Sequence, residues 1–590
     1  MNYLFSAVEI LLMIGLLIIT KKGEKYITNK FRILYAVPFF TAVVMILLAG
    51  FDVYFLGVYI ASVLPTVGLF TEKTDIRKAI SVICTAMIVI SIFVNALFIK
   101  RTADYESDFD EAFATLREHY VLADEKGIDW DELYTKYKPR FAEVTSAQDF
   151  NENYRLWMEF TGEFYDGHTA YYPKDDSKAV KALAESFGDD FGLSIARLST
   201  GEYVAVNVEG YDNSYSILSE EEDPIGLYLI KPDYEPENVS EIRLTLKNAG
   251  VKNGTVITKW NGKGIDEYFE DVKYYINQYP VRENEEFFLP VYASGIGENM
   301  AYGETSSADD ETFAVITYLD ESGVEKEIKV PKLGAYMPRL YSTIKKIDAG
   351  KNITNMSWEK LSDDTMLLRI SQMAYDQKSY ADPNEYTEMK ENLRGEIIAL
   401  KEEGVKNIIF DMRSNTGGDP FFVEAVVSYF APVGEHICEY SSVINEKTAT
   451  YERGADGKYI KGDPLTFTGE DLWHDGNVIL LVNDQCVSAG DEMTYMMGEY
   501  PNVKVYGFTR TNSSCQAVTQ IELEEGILSF SAVPNLDENS EVIIDTRTDR
   551  IGRTPFDEYI PFDHNAVTAI FDRGEDYQID YLLNLLNMSY

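Results

Sequence analysis

Cysteine is scarce in this chain, with Cys84, Cys438, Cys486 and Cys515 the four in 590 residues. Four thiols spread over that length make no disulfide framework, so the fold must stand on its core. One bridge stays open, between Cys486 and Cys515. Histidine is equally thin, at five residues: His119, His168, His436, His474 and His564. No His/Cys group has metal-ligand spacing and no Gly-Lys-Ser/Thr phosphate loop occurs, so neither a metal nor an organic cofactor is expected. Lysine disappears after Lys504. Positive charge is short overall: 53 Lys and Arg stand against 97 Asp and Glu, for a formal net charge of −44. Such a surface repels nucleic acid, so none is expected as a partner. Basic substrates are one reading of the acidity, and plain solvation is another.

Apolar residues are unevenly spent. The first hundred positions hold the runs Tyr3 to Thr20, Ile33 to Gly50, Val53 to Phe70 and Ala79 to Ile99, each near the roughly 20 residues that a membrane-spanning helix needs. Residues 1–101 therefore read as an α-helical membrane domain with the lipid bilayer as partner, its third span weakened by Asp52 and Pro65. The first run lacks a basic start and a small-residue cleavage site, which makes it a retained anchor rather than a signal peptide. Lys21, Lys22, Lys25, Lys30 and Arg32 fill the first loop, and Lys73, Arg77 and Lys78 the third, so both ends of this domain are expected outside. Lys100 and Arg101 pull the other way and are outnumbered. The expected location is a plasma membrane, with the rest of the chain extracytoplasmic. Glu9 is either a functional intramembrane acid or, the reading preferred here, a residue near the outer interface.

Beyond Thr102 the pattern changes. Residues 102–178 read as amphipathic helices, with Phe109, Phe113, Leu116 and Tyr120 at helical spacing and Thr145 or Ser146 as a cap for the last one. Residues 188–335 turn to short strands such as "YVAVNVE", "GLYLIK" and "FAVITYL". Residues 355–590 hold two stretches that carry chemistry, "KNIIFDMRSNTGGDP" (Lys406 to Pro420) and "NVILLVNDQCVSAGDEM" (Asn477 to Met493). Each is a short apolar run ending in small polar residues, as buried parallel strands end at a site. The first delivers Asp411, Arg413 and the Gly417-Gly418 pair, whose backbone N–H groups are free of side-chain cover. The second delivers Ser488 ahead of a helix start expected at Asp491-Glu492. A serine beside glycine amides is an acyl-transfer constellation.

Together the stretches resemble the catalytic core of the tail-specific (C-terminal processing) and tricorn-core serine peptidases. The matching residues are Asp411, Arg413, Asn415, Gly417 and Gly418, then Leu481, Val482, Asn483, Ser488, Ala489, Gly490 and Asp491. The resemblance spans roughly residues 105 to 590, including the helical cap and its "DGHT" ending. It implies an α/β core with a crotonase-like strand–helix arrangement. It also implies Ser488 as nucleophile, with N–H groups of Gly417 or Gly418 and of Ala489 holding the oxyanion, and a protein or peptide as substrate. Within 188–335, "NAGVKNGTVITKWNGKGI" (Asn248 to Ile265) looks like part of a PDZ domain. "FGLSI" resembles its carboxylate-binding loop, which implies substrate binding by Gly192, Leu193, Ser194 and Ile195.

The base is the open question. Processing peptidases of this family use a lysine some way after the serine, where this chain reads "GFTRTNSSCQ" (Gly507 to Gln516). Arg510 cannot serve, because guanidinium does not deprotonate in proteins. The tricorn-like branch uses a histidine from the helical domain, and His168 occupies the matching place. For the orienting acid, Asp549 before "IGRTPFD" is the first candidate and Asp545 the second. Gly167 stands where the tricorn-type serine would be. That departure, with the missing lysine, keeps two alternatives open: an inactive peptide- or lipid-binding protein on the same scaffold, and a membrane sensor.

Overall fold

The structure, a computed structural model, describes residues 2–22, 32–49, 56–71, 73–98, 103–174, 178–179, 182, 186–208, 239–273, 279–300, 312–348, 356–375 and 385–588. The chain forms two compact units, Met1–Thr102 and Ala103–Tyr590.

The first unit contains helices Asn2–Lys22, Val37–Ala49, Leu56–Val63 and Thr74–Phe98. Met13, Leu16, Val58, Cys84 and Ile88 form its interior. Polar groups lie inside with them: Glu9, Ser62 and Ser81 are fully buried, and the Thr41 hydroxyl donates to the Glu9 carboxylate. Glu9 is therefore turned into the interior of this unit. Leu11, Phe40 and Ile90 point outward, each at least 60% exposed. Among the described residues no helix is long and apolar enough to cross a membrane, so the expected membrane domain is not found there. Parts of each expected span lie outside the described residues. The physical reason is visible in the second and third runs. The thirteen residues of Val37–Ala49 reach about 20 Å at 1.5 Å per residue, against a hydrocarbon core of roughly 30 Å. The Leu56–Val63 helix gives way to a 3₁₀ segment at Leu64–Leu69 with Pro65 in its first turn.

The second unit opens with helices Tyr105–His119, Trp130–Ala147 and Phe150–Gly162. Asp104, Asp129 and Asp149 cap them, each carboxylate accepting amides of its first turn. The expected cap at Thr145 or Ser146 is thus corrected to Asp149. Both of those residues sit in the preceding helix, which ends only at Gln148 in the left-handed region. Phe109, Phe113, Phe141, Trp157 and Phe160 pack edge and face in the helical core. Each such pair adds about 1 kcal/mol beyond area burial. The Asp108 carboxylate accepts the amides of Glu524 and Glu525. Strand Ala170–Pro173 pairs antiparallel with Gly526–Val533. These contacts dock the end of the helical segment, and His168 with it, against the C-terminal hairpin.

Residues 188–335 contain the hairpin Ser194–Arg197/Tyr203–Val206 and the strands Ile257–Trp260, Phe313–Leu319 and Glu325–Pro331. The strand expected at "GLYLIK" lies outside the described residues.

The catalytic part is a six-stranded sheet in the order Glu558–Tyr559, Val503–Gly507, Asn477–Leu481, Asn407–Asp411, Thr365–Arg369, Ser357–Lys360. All neighbours are parallel except the last pair. Asn407–Asp411 is buried along its whole length, as a central strand covered on both faces must be, and this explains its continuous apolar run. Its end is fixed by charge. Arg413, fully buried, donates Nε to Asp411 Oδ1 at 2.8 Å and Nη2 to Asp576 Oδ2 at 2.7 Å, while Arg369 reaches Asp411 Oδ2 at 2.6 Å. This cluster ties the strand end to the C-terminal helix Tyr577–Met588. Removing one partner of a buried ion pair strands the others, at a cost of roughly 3–5 kcal/mol. Arg413→Met is accordingly expected to lower the unfolding free energy by about 3 kcal/mol or more, read as a shifted urea midpoint at unchanged slope.

Candidate active site

The buried strand Asn477–Leu481 leads into a short turn that ends at Ser488, and the helix Ala489–Met497 begins on the next residue. The helix starts two residues before the expected Asp491. Ser488 has φ 61° and ψ −127°, a conformation costing about 1–3 kcal/mol for a residue with a side chain. Three backbone hydrogen bonds hold it: Ser488 N to Ser514 O at 2.8 Å, Val487 N to Asn415 O at 3.0 Å and Glu492 N to Ser488 O at 3.0 Å. The hydroxyl sits half-buried at a helix N-terminus, where the local dipole favours negative charge.

Beside it runs the Asn415–Asp419 turn. Gly417 has φ +80°, and a Cβ placed there would lie 2.6 Å from Ser488 Cβ, so only glycine fits. Its N–H donates to Asn415 Oδ1 at 2.9 Å and is occupied. Met373 N donates to Gly417 O and Asp419 N donates to Met373 O, both at 2.8 Å. That parallel bridge leaves the Gly418 N–H on the opposite edge of the turn. Ala489 N is the first amide of its helix, a donor without an intrahelical acceptor. Among the described residues neither the Gly418 nor the Ala489 amide donates to another protein group.

His168 arrives from the helical segment. Gly167 N donates to Ser514 Oγ at 2.9 Å, and His168 N to Asp166 Oδ1 at 3.0 Å. Asp166 is held in turn by the hydroxyls of Thr169 and Ser531, both at 2.9 Å. The Nδ1 atom of His168 is buried and has no hydrogen-bond partner among the described residues. The other histidines are engaged elsewhere. His436 Nε2 lies 2.7 Å from Pro432 O and its ring stacks on Phe467; His474 pairs with Asp475 at 2.9 Å; His119 stands beside Glu118. His564 lies against Gly254. No hydrogen bond joins His168 to Ser488 among the described residues.

The two acids part company. Asp549 is exposed, accepting Ile551 N and pairing with Arg553 at 2.6 Å, and the structure does not bring it to His168. Asp545 is buried, with Oδ2 accepting Cys515 N at 2.9 Å and Gln516 Nε2 at 2.8 Å, and with Oδ1 unpartnered among the described residues. Burial, and then the like charge of Asp166, push its carboxyl up to about 6. Lys126 joins this group from the helical segment, its ammonium bonded to Tyr165 O and Thr546 Oγ1, both at 2.7 Å, and burial lowers its pKa.

Asp491, one turn into the serine helix, is buried and accepts Ser514 N at 3.2 Å and the Thr554 hydroxyl at 2.9 Å. Burial pushes it up to about 7. Cys486 and Cys515 are both free thiols, so the bridge left open by the sequence is not formed. The Gly192–Ile195 segment is buried throughout. Gly192 N is bonded to Asp190 and Ile195 N to Ser294 Oγ, both at 2.8 Å, while Ser194 Oγ lies 2.8 Å from both Thr343 Oγ1 and Tyr336 Oη. No hydrogen bond joins these residues to Ser488 among the described residues.

The model of peptidase family S41 matches residues 364–546, which contain both glycines, Ser488 and Asp545. The chain is a serine peptidase whose residues 364–546 are similar to that family. The tricorn protease C1 domain matches residues 101–153, the helical segment that carries the chain toward His168. Among solved structures, mature CPAF is similar at 12% identity, over 81% of this chain and 95% of that one, with a TM-score of 0.48. The photosystem II D1 C-terminal processing protease is similar at 13% identity, over 80% and 98%, with a TM-score of 0.31. The tricorn protease matches at 14% identity, over 82% of this chain and 36% of that one, with a TM-score of 0.30. No curated protein matches the sequence. In this site, Ser514 and the amide-occupying role of Asn415 had no signal in the sequence beyond their nearness to motif residues. The carboxylate at Asp491 had one, its place in the motif.

Two consequences are measurable. Gly417→Ala puts a methyl group against Ser488 Cβ at a positive φ, and should cut fluorophosphonate labelling of Ser488 at least tenfold in protein that still melts cooperatively. Asp491 binds its proton more tightly folded than unfolded, where a carboxyl titrates near 3.9. Its contribution is complete below about 4 and is lost as pH rises to about 7. Asp491→Asn should therefore gain on the wild type by a few kcal/mol as pH rises across that window, checked by paired melts from pH 4 to 7.5.

Proposed function

We propose that this peptidase is a membrane-anchored serine endopeptidase that hydrolyses peptide bonds of extracytoplasmic proteins or peptides. The observation that carries the catalytic reading is the pair of unengaged amides, Gly418 and Ala489, flanking the strained Ser488 on two sides. Such donors, fixed before reaction, stabilise developing oxyanion charge, and losing one costs about a hundredfold or more in turnover. Ser488 Oγ attacks the scissile carbonyl, His168 takes the hydroxyl proton, and the carbonyl oxygen becomes an oxyanion between Gly418 N–H and Ala489 N–H. His168 then returns the proton to the leaving amine, and water repeats the sequence on the acyl-enzyme. Gly417 acts by close approach, since its own amide is taken. For the orienting acid the buried Asp545 is favoured over Asp549, because its Oδ2 is bonded to Cys515 and Gln516 while Gly167, next to His168, is bonded to Ser514 of the same short segment.

Anchoring is supported by the first unit's exposed apolar side chains, Leu11, Phe40 and Ile90 among them, which a water-facing bundle would turn inward. The basic loops support placing the peptidase on the outer side.

A second reading, an unreactive binding protein, is favoured by the lack of a Ser488–His168 hydrogen bond among the described residues and by Gly167. Fluorophosphonate treatment of the full chain separates the two. An adduct at Ser488 is expected, absent from Ser488→Ala, and His168→Gln should retain the fold while losing on the order of a hundredfold or more in peptide turnover. Folded, unlabelled wild-type protein would support binding instead.

A further inference from the structure

Next to Ser488 lies a group of carboxylates that the mechanism does not use. Glu492 sits one turn into the serine helix, its amide bonded to Ser488 O at 3.0 Å. Glu424 lies on helix Pro420–Val427, which starts directly after the Gly417–Gly418 turn. Glu439 comes from strand Gly434–Ser442, and the Cys438 thiol beside it lies 4.0 Å from Glu424 Oε1. Glu439 and Glu492 are only 9% and 7% exposed.

The strand's pattern is inverted. Alternation puts residues 437 and 439 on one face, but the register of this strand shifts between them. Ile437 is left 52% exposed while Glu439 is buried. Bulges of this kind re-aim side chains beside active sites. An arrangement that exposes isoleucine and buries glutamate is costly unless the carboxylate meets a counter-charge. None is supplied within the cluster. Glu439 Oε2 has no hydrogen-bond partner among the described residues. The charges acting on Glu439 and Glu492 are those of Glu424, Glu439 and Asp419, all acidic. A cation, Lys390, acts on Glu424 alone of the three. Burial raises both Glu439, to about 7, and Glu492. Among the described residues no group of acids is arranged to hold a metal ion.

We infer that Glu439, Glu492 and Glu424 form a subsite for the cationic side chain of a lysine or arginine that supplies the scissile carbonyl. The inference rests on the peptidase reading and deepens it. The carbonyl held by Gly418 and Ala489 lies at the N-termini of two helices. The side chain of the same substrate residue runs along these helices, with Glu492 in the first turn of one and Glu424 in the second turn of the other. A guanidinium brings five donors in a planar fork, enough for the unpartnered Glu439 oxygen and a second carboxylate together. Asp419 stays outside this set, since its oxygens cap the helix at Phe421 N and accept the Tyr386 hydroxyl.

The test uses the full chain and three fluorogenic peptides identical except at the acyl-side residue: arginine, its uncharged isostere citrulline, and leucine. The expected kcat/KM for arginine exceeds that for citrulline by at least tenfold, and Glu439→Gln and Glu492→Gln each reduce that ratio at least fivefold. The wild-type ratio needs no variant, so a misfolded variant does not blunt the result. An arginine-to-citrulline ratio near one, or preference for leucine, with turnover abolished by Ser488→Ala, overturns the subsite and leaves the peptidase standing. Absence of both turnover and a fluorophosphonate adduct at Ser488 overturns the peptidase reading, and the subsite with it.

Discussion

Ser514 is the residue on which the site depends. Its carbonyl accepts the Ser488 amide, its hydroxyl accepts the Gly167 amide and its own N–H donates to Asp491. Three parts of the chain far apart in sequence are thereby indexed to one residue: the serine turn, the loop bearing His168 and the first turn of the serine helix. The next residue extends the frame, since Cys515 N holds Asp545. Such placement matters because acyl transfer tolerates little positional error; about 1 Å of misplacement can cost a hundredfold in rate.

The same region is built against the usual preference for neutral interiors. Asp491, Asp545, Glu439 and Glu492 are all buried near the serine, and burial raises each of them. Elsewhere in the sheet buried charge is matched, as where Arg413 and Arg369 share Asp411. The contrast separates two uses of acids. Paired ones fix strand ends and the C-terminal helix. Those with no cation acting on them, Asp491, Glu439 and Glu492, cluster around the nucleophile, where perturbed groups carry function more often than structure.

Glycine divides in a similar way. Gly417 serves by having no side chain, since Ser488 Cβ occupies the space, and its amide is spent on Asn415. Gly418 offers its N–H because Met373 brackets it on the other edge. Two adjacent residues of one type thus have different tasks, set by which hydrogen bonds their neighbours consume.

Local order was legible in the chain itself. The buried strands before Asp411 and Val482, the glycine pair, Ser488 and the amphipathic helix around Phe109 all follow from short-range periodicity and from residues whose backbone freedom or size is restrictive. The likeness to S41 peptidases followed from the order of those same pieces. What tertiary structure decided is everything that depends on atoms distant in sequence: which amide near the glycines is unengaged, that Asp545 is buried while Asp549 pairs with Arg553 at the surface, that Cys486 and Cys515 are not bridged, and that the Gly192 and Ile195 amides are consumed. It also shortened the second and third apolar helices of the first unit below the expected spans, where hydropathy registers composition but not where a helix stops. Sequence by itself fixes which groups can donate, accept, bend or pack. Only the fold fixes which partners those groups have already taken, and a site is made from the ones left over.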